Sequence, residues 1–539
     1  MFPRRFPTLG LLWLSLLALV ATPTFARTDG YRLPPDDVTA IVDAPATPRV
    51  TLAPSGDRLL LARSGALPTL ADLARPMLRL AGMRIDPAAR GPFRTSWIDA
   101  LEVVDVATGD TRTLDVGDGP RRFGGASWSP DGTRVAFTRT TGRGTELWIA
   151  DAATGAARRL VGPRLNGVLG DAASFLGGSD LLLVKLAPDD AGPPPAPPAV
   201  PTGPLVQETA GRAAMNRTYQ DLLVTPHDEA LFAHHATSRI AVVSVAGEVS
   251  PIGPTGMYAA VEGAPDGDHL LVTRIDRPFS RAVPVGRFAR TVEVWDRDGR
   301  VVKRIASRGV ADEVPIGGVP TGPRSIEWVP TEPATLAWFE AQDGGDPKAD
   351  AEHRDHLFVS PAPFDRTEVV ARTEHRARGV AWTERRGTAL LSEYDRDRRW
   401  TTTRRFDWLD PSAPGPVVDD RSIRDRYGDP GDPVRRTLPH GARVARVDGG
   451  ALWLAGAGAG PEGERPFLRR LDLESLDATE VFRSPLETHT SFVGFSGDGA
   501  VFRVESATRP PNWAFGTTSG DELRFLTSFE DPHPQLTGI

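Results

Sequence analysis

ASWSPDGTRVAFTR, at residues 126–139, places the turn sequence PDG between two short β-rich runs. Proline presets φ and glycine accepts positive φ, so this tripeptide favours a tight turn between two strands. ELWIAD at residues 146–151 then predicts a third strand, and AARRLV at residues 156–161 predicts a fourth. Four antiparallel strands that follow one another in this way form one blade of a β-propeller.

Weaker copies of the first hairpin recur along the chain, at residues 52–61, 264–272, 326–339, 379–391 and 492–502. Helical periodicity is nearly absent past residue 30, and turn residues interrupt the β-rich runs roughly every 8–12 residues, as in all-β domains. Because one blade cannot bury both of its faces alone, such repeats indicate a closed ring. We therefore predict an all-β fold, a β-propeller of seven four-stranded antiparallel blades, with eight blades as the alternative, in one domain at residues 27–539.

Long insertions must lengthen some of these blades. Divided among seven blades, the chain after residue 26 gives about 73 residues per blade, well above the ~40–45 of compact repeats. Residues 67–90 form one predicted insertion, with a short amphipathic helix on each side of Pro76. Residues 188–204, rich in proline and alanine, form another, an exposed extended loop.

The first residues of the chain predict export. Arg4 and Arg5 precede an apolar run at residues 9–20, and residues 24–26, which end at Ala26, offer small side chains at the positions that a signal peptidase reads. This order is typical of a secretory signal peptide, here residues 1–26. The apolar run is shorter than the ~20 residues of a membrane span, so cleavage is favoured over the alternative, an uncleaved N-terminal anchor. The mature protein is expected to be periplasmic or secreted and to have no membrane attachment.

Composition excludes several classes of site. The chain contains no cysteine, which excludes disulfides, thiolate catalysis and cysteine-ligated metals. Its formal net charge is −7 and it has no basic block, so the electrostatic pattern of nucleic-acid binding is absent. The glycine-rich stretch at residues 455–461 ends in proline without a following helix, so it is no phosphate-binding loop and is read as a flexible connection between two strands. No cofactor is predicted.

No serine-hydrolase or zinc-protease motif is present. The stretch nearest to Gly-x-Ser-x-Gly surrounds Ser496, but aspartate ends it and the context is a hairpin turn. His227 and the pair at residues 234–235 lie in a stretch that resembles a short helix, yet they lack the His-Glu-x-x-His spacing. His353 and His356 share a charged, loop-like stretch. We predict no catalytic and no metal-ligating residue.

One loop has side chains suited to an acidic ligand. Residues 276–288, DRPFSRAVPVGRF, combine three arginines, two aromatics and two prolines directly after a strand. Arginine pairs with carboxylates through two hydrogen bonds. Arg281 and Arg287 are therefore candidate substrate-binding residues, expected on the channel or on a domain-facing surface. The alternative is a loop held by its own salt bridges and aromatic packing.

Several stretches are scattered along the chain, at residues 32–35, 41–45, 80–87, 219–223, 228–232, 277–280, 283–284, 287–288 and 529–536. Together they resemble the N-terminal region of the prolyl oligopeptidase family of serine peptidases, in the branch of the glutamyl endopeptidases, and the resemblance covers nearly all of the chain after the signal peptide. It implies a propeller that caps an α/β-hydrolase domain with a serine, an aspartate and a histidine, and that admits short or unfolded peptides. It also implies cleavage after glutamate. No position here matches the family's catalytic triad, so no catalytic residue is transferred.

The resemblance implies the substrate-gating propeller portion of an exported serine peptidase, inactive alone because the catalytic domain is absent. Two alternatives stay open: a separately encoded α/β-hydrolase half docks on the propeller, or the propeller alone binds peptides without catalysis. In all three the partners are peptides. An unpartnered propeller is expected to expose an apolar patch containing Trp513, Phe515, Phe525 and Phe529, unless these residues complete the final blade.

Overall fold

The computed structural model describes residues 33–200, 203, 218–412 and 415–538, so the predicted signal peptide at residues 1–26 lies outside the described residues. A compact unit spans Pro45–Pro532, and the short segments that flank it form a second unit. In the second unit, helix α1 (Asp36–Val42) begins with two aspartates, which favour the positive end of the helix dipole. A 3-10 turn follows at Pro534–Leu536. Among the described residues, no helix has the length and apolar character to span a membrane.

Within residues 45–200 and 218–532 the strands follow one another in eight groups, each built on an antiparallel meander of four, and we call each group a sheet. Single residue pairs, Ile98 with Phe123 and Leu165 with Leu186, link the first three groups into one continuous 12-stranded sheet. The first group contains β1 (Arg49–Leu52), β2 (Arg58–Ser64), β6 (Ile98–Asp105) and β7 (Thr111–Thr113). Between β2 and β6 an insertion forms helix α2 (Leu70–Leu73) and a small sheet of β3 (Leu78–Leu80), β4 (Met83–Asp86) and β5 (Gly91–Pro92). The second contains β8 (Phe123–Trp128), β9 (Arg134–Thr141), β10 (Gly144–Asp151) and β11 (Ala157–Leu165). The third contains β12 (Ala173–Phe175), β13 (Leu181–Leu186), then helix α3 (Pro226–Ala236), β14 (Ser238–Ser244) and β15 (Val249–Gly256).

The fourth group contains β16 (Tyr258–Gly263), β17 (His269–Ile275), a 3-10 turn (Val285–Arg287), β18 (Arg290–Asp296) and β19 (Val301–Arg308). The fifth contains β20 (Arg324–Trp328), β21 (Thr335–Ala341), β22 (Asp355–Pro361) and β23 (Glu368–Thr373), and the sixth β24 (Arg376–Trp382), β25 (Thr388–Asp395), β26 (Trp400–Asp407) and β27 (Val417–Ser422). The seventh contains β28 (Asp432–Pro433), a hairpin of β29 (Arg435–Thr437) and β30 (Arg443–Ala445), β31 (Val447–Asp448), β32 (Ala451–Gly456), a small hairpin of β33 (Ala459–Gly460) and β34 (Gly463–Glu464), β35 (Phe467–Asp472) and β36 (Ala478–Arg483). The eighth contains β37 (His489–Ser496), β38 (Gly499–Ser506), β39 (Arg509–Gly516) and β40 (Arg524–Phe525).

The stretch at residues 126–161 forms the four strands predicted for it. In the turn between β8 and β9, Gly132 has φ 74°, which its missing side chain permits. The Asp131 carboxylate accepts hydrogen bonds from the Ser129 hydroxyl at 2.6 Å and from the Thr133 amide at 3.0 Å. The predicted all-β class and the four-stranded antiparallel units are confirmed.

The last group of strands packs directly on the first. Leu59 and Leu61 of β2 share one buried cluster with Val501 of β38 and Trp513 of β39. On the inner strands the approach is equally close, since a Cβ at Gly494 would lie 2.6 Å from a methyl carbon of Leu52. The two ends of the strand series therefore meet by side-chain packing, and no strand in the described part of the chain is shared between them.

The contact between the last and the first group of strands includes most of the aromatic residues that we expected to be exposed. Trp513 is buried, and Phe515 and Phe529 pack against the same cluster. Phe525 alone of the four is exposed, at 42%. The predicted apolar patch is therefore wrong for the other three residues, which complete the final sheet.

The insertion at residues 67–90 differs from the two predicted helices. The part before Pro76 forms one helical turn, α2, whereas the part after it forms the β3–β4 hairpin. Ala81 and Gly82 both have positive φ, 54° and 79°, which suits a two-residue hairpin turn and excludes a helix. Residues 188–200 of the predicted proline-rich loop contain no helix or strand.

Insertions from three sheets meet on one side of the unit. Leu80 from the first, Phe232 from the third and Phe288 from the fourth belong to one buried apolar cluster. Backbone hydrogen bonds from Gly82 to Asp221, at 2.7 Å, and from Val285 to Ala81, at 2.8 Å, join them. We call this side the insertion face and the opposite side, which carries turns such as residues 129–133, the turn face.

Candidate functional site

The innermost strands surround a cavity of about 1250 Å³. Strands β1, β8, β12, β16, β20, β28 and β37 all contribute lining residues, so the cavity is the axial channel of the ring of sheets. Its volume exceeds the roughly 300–1,000 Å³ of common small-molecule pockets. We call it the central chamber.

Tryptophan side chains link the innermost strands of neighbouring sheets by hydrogen bonds. The indole of Trp128 donates to the Thr51 carbonyl at 3.4 Å, and that of Trp328 to the Glu262 carbonyl at 3.3 Å. Trp382 instead donates to the carboxylate of Glu327, at 2.9 Å. Each bond joins one sheet to the sheet before it, which fixes the chamber wall.

Two carboxylates from adjacent sheets face the chamber. Desolvation by the enclosing protein raises the pKa of Glu262, whose side chain is open to the cavity. The pKa of Glu327 is also raised, chiefly by desolvation and further by the Glu262 charge, while the Trp382 hydrogen bond and Arg435 oppose the rise. The sequence contained a signal for this pair, because glutamate occupies the position that Ser127 and Ala381 hold in the hairpins of other sheets.

A hairpin inserted in the innermost strand of the seventh sheet crosses the channel. β28 and β31 both pair with β32, Val434 and Arg446 are still hydrogen-bonded to Trp453 of β32, and residues 435–445 leave the sheet between them. We call these residues the channel hairpin. At its base Val444 is fully buried against the fifth and sixth sheets, and Arg436 binds the Glu384 carboxylate at 2.7 Å.

The tip of the channel hairpin reaches the opposite wall. A Cβ at Gly441 would lie 3.2 Å from Pro130, and one at Gly178 would lie 4.0 Å from the Pro439 carbonyl. Pro130 and Gly178 belong to turns of the second and third sheets, so the channel hairpin spans the mouth of the chamber on the turn face. His440 at the tip lines the chamber, and burial lowers its pKa.

Arg281 and Arg287 do not share a site, and neither lines the central chamber. Arg281 pairs with Glu229 of α3 at 2.8 Å. Arg287 donates to the Ala311 carbonyl at 2.9 Å and lines a second cavity of about 490 Å³. The loop at residues 276–288 that carries both arginines is fixed by aromatic packing, with the rings of Phe279 and Phe232 centred 4.9 Å apart.

The other sequence candidates occupy structural positions. Ser496 is buried at the end of β37, beside a turn in which Gly497 has φ 54°. His235 lies on the predicted short helix, where burial lowers its pKa to about 4. His356 lies on β22 rather than in a loop. Among the described residues, no group of three or more acidic or histidine side chains is placed to hold a metal ion.

Two plant proteins are similar to the chain over nearly its full length. It is 32% identical to a probable chloroplastic glutamyl endopeptidase of Oryza sativa subsp. japonica over 551 residues, which is 95% of the chain and 58% of the relative. The match to the corresponding Arabidopsis thaliana protein is also 32% identical and covers 95% of the chain and 56% of the relative. The chain thus spans somewhat more than half the length of these relatives. No protein-family model matches it.

The solved structures to which the chain is similar share little sequence with it. An acylaminoacyl peptidase in complex with a chloromethyl ketone is 11% identical, with a TM-score of 0.39 over 91% of the chain and 53% of that protein. The β-propeller domain of the trilobed protease of Pyrococcus furiosus is 11% identical, with a TM-score of 0.37 over 76% of the chain and 100% of that domain. A prolyl endopeptidase is 12% identical, with a TM-score of 0.40 over 88% of the chain and 57% of that protein.

Proposed function

Because the chain is a homologue of the glutamyl endopeptidases over 95% of its length, we propose that it is the substrate-gating propeller portion of an exported serine peptidase of the prolyl oligopeptidase family. Its eight sheets are then eight blades, closed into a ring by the packing of the first against the last. The observation that carries the gating role is the central chamber with the channel hairpin across its mouth.

Residues 1–539 contain no Gly-x-Ser-x-Gly sequence. In this proposal peptide cleavage therefore belongs to an α/β-hydrolase portion outside these residues. The propeller contributes selection by size. An extended chain can pass beside the channel hairpin, whereas a folded domain is excluded by the chamber wall. Residues 27–539 alone are then expected to bind peptides without cleaving them.

A second candidate function is peptide binding without any catalytic partner. The charged lining of the chamber favours it, because Glu262 and Glu327 on one wall and Arg435 on the channel hairpin offer both signs of charge to a peptide. A downstream reading frame that encodes Gly-x-Ser-x-Gly and a late histidine would favour the peptidase portion over this alternative.

Fluorescence anisotropy tests the gating role. We expect a short unfolded labelled peptide to bind the purified chain, and the same sequence inside a folded protein not to bind. Ser127→Trp, which places a large ring in the chamber, should weaken peptide binding, whereas Ala107→Trp on an exposed turn should leave it unchanged. Equal binding of the folded protein, or unchanged binding by the Ser127→Trp variant, would refute the proposal.

A further inference from the structure

The cavity that Arg287 lines lies apart from the central chamber, at the junction of the fourth and fifth sheets. Its lining comes from residues 286–290, from the end of β19 at residues 307–308, from the connection at residues 309–321 and from Gly344. None of these residues lines the chamber. We call this cavity of about 490 Å³ the arginine pocket.

Three guanidinium groups line the arginine pocket, those of Arg287, Arg290 and Arg308. Arg287 donates to the Ala311 carbonyl, and Arg290 donates to the Val285 carbonyl at 3.2 Å. Backbone carbonyls orient these side chains but do not neutralise their charge. Among the described residues the structure gives none of the three a salt bridge, in contrast to Arg281 with Glu229.

Arg308 is the least satisfied of the three. Its Nε atom is shielded from solvent and has no hydrogen-bond partner among the described residues. Burial lowers the pKa of Arg308, and the charges of Arg290 and Arg324 lower it further. Burying like charges together is unfavourable unless opposite charge compensates them.

The residues that line the arginine pocket supply little negative charge to balance the three arginines. Glu313 is the one acidic residue among the lining residues, against three arginines. The remaining lining residues are small, apolar or hydroxylated, such as Ser307, Val310 and Thr321. The pocket therefore has an excess of positive charge.

We propose that the arginine pocket binds a multivalent oxyanion, a ligand that carries two or more carboxylates or a phosphate. The planar guanidinium matches both groups through paired hydrogen bonds. The cavity volume falls in the roughly 300–1,000 Å³ range of organic ligands, so the pocket has room for more than a lone inorganic ion. This inference does not rest on the gating role, since the two cavities share no residue.

Isothermal titration calorimetry on the purified chain, at constant ionic strength, tests the proposal with citrate, inorganic phosphate, a triglutamate peptide and a triglutamine peptide. We expect at least one of the three anions to bind with a Kd below about 1 mM, and triglutamine not to bind. Preference for phosphate or for a carboxylate probe identifies the chemistry of the natural ligand.

The variants locate the binding. Arg308→Gln and Arg287→Gln should each weaken binding about tenfold or more, because each removes charge-assisted hydrogen bonds. Arg300→Gln, at an exposed turn of the same sheet, removes the same charge elsewhere and should have no effect. The proposal is overturned if no anion binds, or if all three variants bind equally well.

Discussion

Deleting residues 435–446 should open the chamber while the seventh sheet stays intact. Asp432 and Pro433 pair with residues 455 and 454, whereas Val447 and Asp448 pair with residues 452 and 451. The amide of Val434 donates to the Trp453 carbonyl at 2.9 Å. Joining Val434 to Val447 therefore places Val434 opposite Trp453 and restores an uninterrupted inner strand.

The deletion should change stability only slightly. It removes the burial of Val444 and Ala445 and the ion pair of Arg436 with Glu384, together worth about 2–4 kcal/mol. It also removes a twelve-residue loop, whose closure costs about 2 kcal/mol in chain entropy. These terms oppose each other, so we expect the free energy of unfolding to change by no more than about 2 kcal/mol.

Access to the chamber can be measured with a single engineered thiol, because the chain has no cysteine. In Ser127→Cys the thiol lies in the chamber. A small maleimide should label it with and without the channel hairpin. A polymer-linked maleimide should react about tenfold or more faster after the deletion, because the thiolate reacts only where the reagent reaches it.

Ala107→Cys on an exposed turn provides the control, and the deletion should leave its labelling rate unchanged. The reasoning is refuted if the polymer-linked reagent labels the chamber thiol equally fast in both proteins. A deletion variant that unfolds would contradict the restored strand register, and its urea denaturation curve would reveal this.

Three further predictions concern the chamber wall and the fifth sheet. Trp382→Phe should lower the free energy of unfolding in urea by about 1–2 kcal/mol, because it leaves the half-buried carboxylate of Glu327 without its donor; an unchanged midpoint would contradict this. Asp355→Asn should cost about 3–5 kcal/mol, since the fully buried carboxylate pairs with Arg324 at 2.5 Å and with Arg376 at 2.7 Å, and its loss leaves the buried Arg324 guanidinium uncompensated; a loss below 1 kcal/mol, typical of surface pairs, would show that these charges are solvated. The pKa of Glu262 is raised in the folded protein, so its contribution to stability is fully present below the unfolded value of about 4.3 and is lost as the pH rises through the folded pKa. Glu262→Gln should therefore become more stable relative to the wild type as the pH increases across that window. A constant difference in the free energy of unfolding between pH 4 and pH 8 would exclude the raised pKa.

Local turn chemistry allowed the sheets to be predicted, whereas long-range packing determined much of the rest. Residues 126–161 folded as predicted because proline and glycine specify that turn without help from the remainder of the chain. Past Pro76, the apolar residues Leu80 and Ile85 suited a helix or a strand alike, and their burial against insertions from the third and fourth sheets selected the hairpin.

The candidate site was harder to predict for the same reason. The channel hairpin is an insertion inside one strand, and its contacts with Pro130 and Gly178 are more than 250 residues away in sequence. Arg281 and Arg287 looked equivalent in the sequence. Glu229 on α3 neutralises the first, while the second shares a cavity with Arg290 and Arg308.

Turnover of a glutamyl-amide reporter by purified residues 27–539, with and without a serine-directed fluorophosphonate, tests the central claim most directly. The account predicts no turnover and no covalent labelling by the fluorophosphonate, together with binding of the unfolded peptide. Turnover that the fluorophosphonate abolishes would contradict it, because a reactive serine would then lie within a chain assigned to selection alone.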